Sequence, residues 1–237
     1  MLAATVELMI RSWFAFVLLV ACLVVTGCTS FATLRSAEVQ PGPSFTVQGS
    51  VTTPPGNEPA WFWSLDCGQQ CDRAIASWDL NLTFGHAPAT GATAYAMGLG
   101  LSGAYPYLDA YVQLKRGAAK PYGVGARIGI PVTSWNEYQI YGRYDVRLAQ
   151  GEWLLLSPAV FYHTGNSPDR ENPGSFVAFV QGVGLLIEGE HVSFTPAISV
   201  IVGRGERRSY SEQIGPFATI FGMASVGVTF HPRRTQP

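Results

Sequence analysis

Charge is what this 237-residue chain has least of: Asp, Glu, Lys and Arg together make up 13% of it, about half the share of an ordinary soluble domain. Fifteen basic residues against sixteen acidic ones leave a net charge of −1, which excludes an electrostatic grip on nucleic acid. His86, His191 and His231 are scattered and fit no ligand spacing, and no histidine stands near Cys67 and Cys71 to complete a zinc site. No metal and no cofactor are expected. After the N-terminal stretch there is no helix of ordinary length with apolar residues at three- and four-residue spacing. Gly123-Val124-Gly125 and Gly182-Val183-Gly184 are therefore not nucleotide loops, because no helix follows them. In a narrow barrel, small residues at alternate positions let the wall close.

What the chain does have begins with an N-terminal export signal. A short stretch carrying Arg11 precedes an apolar run from Trp13 to Val25, which has the length of a signal core and is short for a transmembrane helix. The run ends in Val25-Thr26-Gly27-Cys28, which resembles the bacterial lipobox. That resemblance implies cleavage before Cys28, a diacylglycerol on its thiol and an acyl chain (palmitate-like) on the new amino group. One acyl chain holds only reversibly, at about 0.8 kcal/mol per buried methylene, whereas two or three hold firmly. Thr29 and Ser30 follow where an Asp would imply retention at the inner membrane, so the outer membrane is the expected destination. Cys22 leaves with the signal. Cys67 and Cys71 remain, flanking Gly68-Gln69-Gln70, and outside the cytoplasm are most simply a local disulfide that stiffens a turn. The spacing differs from the redox Cys-x-x-Cys pattern.

Glycine (26 residues) and aromatics (12%) are plentiful, and alternation with period two dominates the rest of the chain. In Arg73–Gly85, Ala74, Ala76, Trp78, Leu80, Leu82 and Phe84 share one face, opposed by Ile75, Ser77, Asp79, Asn81 and Thr83. In Glu137–Leu148, Tyr138, Ile140, Tyr144, Val146 and Leu148 oppose Glu137, Gln139, Tyr141, Arg143, Asp145 and Arg147. Further strand-like runs cover Ala92–Ser102, Leu108–Arg116, Tyr122–Ile130, Glu152–His163, Phe176–Glu188, Val192–Gly203 and Pro216–Phe230, with Ser44–Val51 a short additional candidate. The fold class is all-β. The long polar connections before Arg73, at Gly165–Ser175 and at Arg204–Gly215 all follow odd-numbered strands, so they share one end. Tight links such as Gln150-Gly151 and Gly189-Glu190 lie at the other. The expectation is a closed antiparallel up-and-down β-barrel of about 8–10 strands, ten if Ser44–Val51 counts. Trp135, Tyr138, Trp153, Phe161, Tyr162, Phe217 and Phe230 are placed to form aromatic girdles.

The expected organisation is a lipoprotein signal at 1–27, a lipidated tether and loop with Cys67 and Cys71 at 28–72, the barrel at 73–230 and a tail at 231–237. Inside such a barrel, Asp79, Asn81, Glu137, Gln139, Arg143, Asp145 and Arg147 bind a polar ligand or pair with one another. Eight to ten strands leave room for side chains or one small ligand, and buried charges must be paired, so pairing is the expectation and an open channel is not.

One local stretch points to chemistry. Phe161-Tyr162-His163-Thr164-Gly165-Asn166-Ser167, followed by Glu171-Asn172-Pro173-Gly174, resembles the active-site region of outer-membrane lipid A deacylases and, loosely, of outer-membrane phospholipase A. The resemblance covers about 20 residues, counted against the motif a nucleophile and its base require. It implies His163 as general base and Asn166 as the motif asparagine. The nucleophile position holds Gly165, which cannot attack an ester, and Ser167 is displaced along the chain. At the family's spacing for an acid to orient His163 stands Val177. The reading from sequence is a lipid-anchored, non-enzymatic structural or binding barrel of the outer membrane, with membrane lipid as its partner. The charged tip Arg204-Gly205-Glu206-Arg207-Arg208 would be available to lipopolysaccharide. The alternatives are a degenerate esterase and a periplasmic lipocalin-like carrier of a small apolar ligand.

Overall fold

A computed structural model describes residues 35–52, 75–88, 93–102, 105–115, 120–130, 135–165, 175–206 and 216–231. Cys28, Cys67, Cys71, Asn166 and Ser167 lie outside them. Ten strands follow one another: β1 (Gly42–Thr52), β2 (Ile75–His86), β3 (Ala94–Ser102), β4 (Tyr105–Lys115), β5 (Tyr122–Gly129), β6 (Trp135–Ala149), β7 (Glu152–Gly165), β8 (Ser175–Glu188), β9 (Val192–Glu206) and β10 (Pro216–Phe230). Each pairs antiparallel with its neighbour in sequence, and β1 closes the circle against β10. The barrel therefore begins at Gly42, not at residue 73, and Ala94–Ser102 and Tyr105–Lys115 are two strands.

Closure explains why β1 belongs to the wall. Phe45 faces Phe230 across one seam and Leu82 across the other, so β1 satisfies the backbone edges of both β10 and β2. Following the register once around the wall, from Thr52 through Met223, Ser199, Gly182, Ser157, Arg143, Gly123, Gln113 and Ala94, and extending it past the ends of β2 and β3, returns to the β1 line near Gln40. That offset corresponds to strands tilted by about 40°.

Two mouths result. The near mouth holds the start of β1, the end of β10, and the tight connections at 150–151 and 189–191. Gly151 takes φ 77° there, which a two-residue hairpin needs. The far mouth carries the connections 53–74, 166–174 and 207–215. The three longest connections share the far mouth, which also carries the short links at 103–104 and 130–134, while 87–93 and 116–121 join the tight turns at the near mouth. Among the described residues no helix is long and apolar enough to cross a membrane.

Side-chain alternation makes the wall polar inside and apolar outside. On β9, Ser193, Thr195 and Ser199 are buried while Val192, Phe194, Ile198, Val200 and Val202 are exposed. Every strand contributes to that outer surface, including Phe84, Met97, Leu99, Leu108, Val124, Ile140, Val160, Phe179, Ile220 and Val226. From Val192 to Val202 the strand climbs about 34 Å, or about 26 Å along the axis at a tilt of about 40°. The next outward residue, Arg204, is charged and exposed. Of the expected girdle, Tyr138, Tyr162 and Phe230 face outward, whereas Trp153 and Phe161 are buried on the inner face. Their position parity, one residue off that of Leu154 and Tyr162, puts them there.

Candidate functional site

The lumen is where the chain places its charge. On the β2–β6 side it is built in layers. Gly100, Gly123 and Gly125 are glycine because the rings of Tyr107, Tyr111 and Tyr141 lie flat on them: a Cβ at each would fall inside the neighbouring ring. The rings thus hug the wall instead of crossing the lumen. On their inner faces lie guanidinium groups. Arg127 sits 3.7 Å above Tyr107, and Arg143 lies 4.5 Å from the Tyr111 ring and 4.7 Å from Tyr141, in reach of cation–π attraction. Tyr111 and Tyr141 stack with centroids 6.2 Å apart.

Carboxylates complete the network. Asp79, 1% exposed, accepts from the Tyr107 hydroxyl at 2.7 Å and from Arg127 Nη1 at 3.1 Å. Asn81 Nδ2 donates to the same hydroxyl at 2.9 Å. Asp109 accepts from Tyr141 at 2.5 Å and lies 3.9 Å from Arg143 Nη2. Opposite charges that are buried together in this way are tolerable because each has hydrogen-bonded partners. The opposite sector, β7–β10, is apolar or small, with Leu155, Phe176, Val180, Ile201, Phe221 and Met223 buried in one cluster.

The stretch ahead of β1 is part of this interior. Residues 35–40 form a strap across the near mouth. Ser36 Oγ and the Ala37 amide both donate to Asp145 Oδ2, at 2.8 and 2.7 Å. The Val39 amide donates to Gln113 Oε1 at 2.9 Å, and Tyr111 donates to the Ala37 carbonyl at 2.9 Å. Arg35 reaches deeper, donating to Asn81 Oδ1 and Thr83 Oγ1 at 2.7 Å each, with Asp79 at 3.9 Å and Asp109 at 4.0 Å. Lumen side chains thereby satisfy backbone groups that an irregular segment otherwise leaves open. The tether expected from composition is, over these residues, an internal plug.

Of the residues expected in the lumen, Asp79, Asn81, Gln139, Arg143 and Asp145 are buried there. Arg147 is not part of the network. It stands at the near rim, exposed, with Nε 3.4 Å from the Ala149 carbonyl, because β6 ends two residues later. Glu137 stands toward the far mouth, where register sets it opposite His163, and its carboxylate lies 3.4 Å from His163 Nδ1. His163 is 8% exposed, faces inward and stacks against Phe161 at 6.2 Å. Val177, at the spacing where the resemblance looked for an acid, faces outward; the acidic neighbour comes from the preceding strand instead. Sequence reasoning also left out Arg35, Tyr107, Asp109, Tyr111, Gln113 and Arg127. The alternation of Tyr107, Asp109, Tyr111 and Gln113 with Leu108, Ala110, Val112 and Leu114 carried the signal for four of them. Among the described residues no group of three His, Cys, Asp or Glu is placed to hold a metal ion.

The fold and interior define a closed ten-stranded up-and-down barrel, with one charged and one apolar sector within and an apolar face without. No protein-family model matches the chain, and no curated protein matches it. Among solved structures it is similar to Neisserial surface protein A (NspA), with a TM-score of 0.36 and 7% identity over 80% of this chain and 96% of that one. It is also similar to the outer membrane protein OprG from Pseudomonas aeruginosa, at TM-score 0.34 and 12% identity over 83% of this chain and 100% of that one. A bacterial polysaccharide outer membrane secretin gives TM-score 0.28 and 10% identity over 83% of this chain and 100% of that one.

Proposed function

We propose that the protein is a lipid-anchored barrel of the bacterial outer membrane, acting as a non-enzymatic structural or binding component of the envelope. The observation that carries this reading is the inversion of polarity. Ile198, 66% exposed, Ile220, 68%, and Ile140, 69%, point away from the barrel, while Asp79, Asp145 and Arg127 are buried within it. A barrel in water has no use for an apolar exterior on every strand, whereas a bilayer requires one about 25 Å tall. The same observation speaks against a lipocalin-like carrier, whose apolar faces would enclose a cavity. Cys28, the residue that would carry the lipid, precedes Arg35 in the sequence by seven residues. A local Cys67–Cys71 disulfide belongs to the long β1–β2 connection at the far mouth. Membrane lipid is the partner, and the far-mouth connections with Arg204 are the surface for lipopolysaccharide.

The test is a Cys28→Ala variant exported with an ordinary cleavable signal. If the barrel spans the bilayer, the unlipidated protein resists alkaline carbonate extraction from outer membranes and shifts in gel mobility on boiling. Release as a soluble protein without a shift would contradict the reading.

A further inference from the structure

Among the described residues, Arg35, Arg127 and Arg143 stand in the interior against Asp79, Asp109, Asp145, Glu137 and, at the near end of β8, Glu188, and Arg35 belongs to the strap. With Arg35 withdrawn, Asp79, Asp109 and Asp145 face Arg127 and Arg143, both laid against tyrosine rings at the wall, while Glu137 keeps His163 at 3.4 Å. The carboxylates are spread along the axis: Asp145 toward the near end of β6, Asp109 and Asp79 at mid-strand, and Glu137 toward the far end of β6. Asp145 is fully buried, and its Oδ1 has no hydrogen-bond partner among the described residues, while both strap bonds go to Oδ2. Beside the strap lies a cavity of about 80 Å3, bounded by Arg35, Glu38, Thr46, Asp109, Thr195 and Thr229, large enough to admit water. Across from the charged sector, Gly182, Gly184, Ser199 and Gly227 face inward between the larger Leu155, Phe176, Ile201, Phe221 and Met223.

Resting on the membrane-spanning reading above, we propose that the lumen is a path for small monovalent cations, closed at the near mouth by the strap, and that the Arg35 guanidinium occupies the seat of a permeating cation. The seat has the chemistry for it. Asn81 Oδ1 and Thr83 Oγ1 each accept from Arg35 at 2.7 Å, with Asp79 and Asp109 supplying the charge. Withdrawing the strap removes a positive charge from these oxygens and two hydrogen bonds from the Asp145 carboxylate, while Asn81 Oδ1 keeps Thr83 Oγ1 at 2.5 Å. Such an arrangement draws in a cation and repels an anion. The strap is not a strand of the wall, so it can leave without opening the barrel's hydrogen-bonded circle.

The experiment uses the full-length protein reconstituted in planar phospholipid bilayers bathed in potassium chloride, with gel mobility before and after boiling run on the same samples. The unaltered protein is closed for most of the recording. Arg35→Glu sets a carboxylate against Asp79 and Asp109, and raises the open fraction by about tenfold or more; Arg35→Lys stays with the unaltered protein. Ala37→Asp, which places a carboxylate beside Asp145, expels the strap through a different contact and opens the path too. Under a salt gradient the reversal potential of the open variants falls on the potassium side, and adding Asp145→Asn moves it toward zero. If both Arg35→Glu and Ala37→Asp keep the boiling-dependent shift and are silent, or reverse on the chloride side, the proposal is overturned and the barrel reading stands. Absence of the shift and of membrane retention in the unaltered protein overturns the barrel reading itself.

Discussion

Arg127 offers the clearest test of how the interior is held together. Replacing it by Met keeps most of the apolar stem and removes the guanidinium. Asp79 then loses its partner at 3.1 Å, in a setting where the two side chains are 7% and 2% exposed. Stripping one member of a buried pair costs about 3–5 kcal/mol, and the lost stacking on Tyr107 adds about 1 kcal/mol. Arg35 Nη2 stays 3.9 Å from Asp79 and the Tyr107 hydroxyl still donates to it at 2.7 Å, so the cost falls at the low end of that range. The expected loss for Arg127→Met is about 3 kcal/mol. Asp79→Asn in the same protein removes the stranded charge, so the double variant recovers about 2 kcal/mol of that loss. The assay is urea unfolding of protein folded into phospholipid vesicles, read both by tryptophan fluorescence and by the fraction showing the boiling-dependent shift. The midpoint moves with an unchanged slope. A single variant within about 0.5 kcal/mol of the parent, or strictly additive singles, would mean instead that a water-filled lumen screens the pair.

Three further outcomes follow from the same geometry. Ile198→Arg puts a charge at mid-height on the outer face and destabilises the vesicle-folded protein by about 2–4 kcal/mol; on a barrel in water the same change is worth about 0.5 kcal/mol or less, so urea midpoints separate the two. Gly125→Val drives methyl groups into the Tyr141 ring and costs about 1–3 kcal/mol, and Tyr141→Leu in the same chain restores part of the urea midpoint by vacating the space. Purified protein releases no fatty acid from phospholipid or lipid A in a direct fatty-acid assay, and release abolished by His163→Ala would overturn the non-enzymatic reading.

Much of the wall was legible from period two alone. Asp79 and Asn81 alternate with Leu80 and Leu82, and a one-residue slip would have turned all four to the wrong side, so inner and outer faces could be assigned before any pairing was known. Connection lengths gave the two mouths for the same reason, since antiparallel neighbours alternate in direction. Register was not legible. Glu137 and His163 are 3.4 Å apart because β6 and β7 pair as they do, and spacing along the chain pointed to Val177 instead. Trp153 and Phe161 were read as girdle residues from their identity near strand ends, though their parity puts them inside. The strap was the largest omission. Arg35-Ser36-Ala37 has the small and polar composition of a linker, and nothing local distinguishes a free tether from one whose amides are bound by Asp145 and Gln113 on distant strands. Composition reports what a segment lacks for a core of its own; it does not report that another element supplies the partners.

The central claim is that the outer face of this barrel meets lipid. The most direct measurement is a single-cysteine scan of β9 from residue 192 to 204, in a background with Cys28, Cys67 and Cys71 replaced by Ser. Each cysteine carries a fluorophore whose quenching by nitroxides on lipid acyl chains is read in vesicles. With the outer face in lipid, quenching alternates with period two, strong at 194, 198, 200 and 202 and weak at 193, 195, 199 and 201, and fades at the rim near Arg204. Uniformly weak quenching along β9, with labels at 198 and 200 reached instead by a water-soluble quencher, would contradict it.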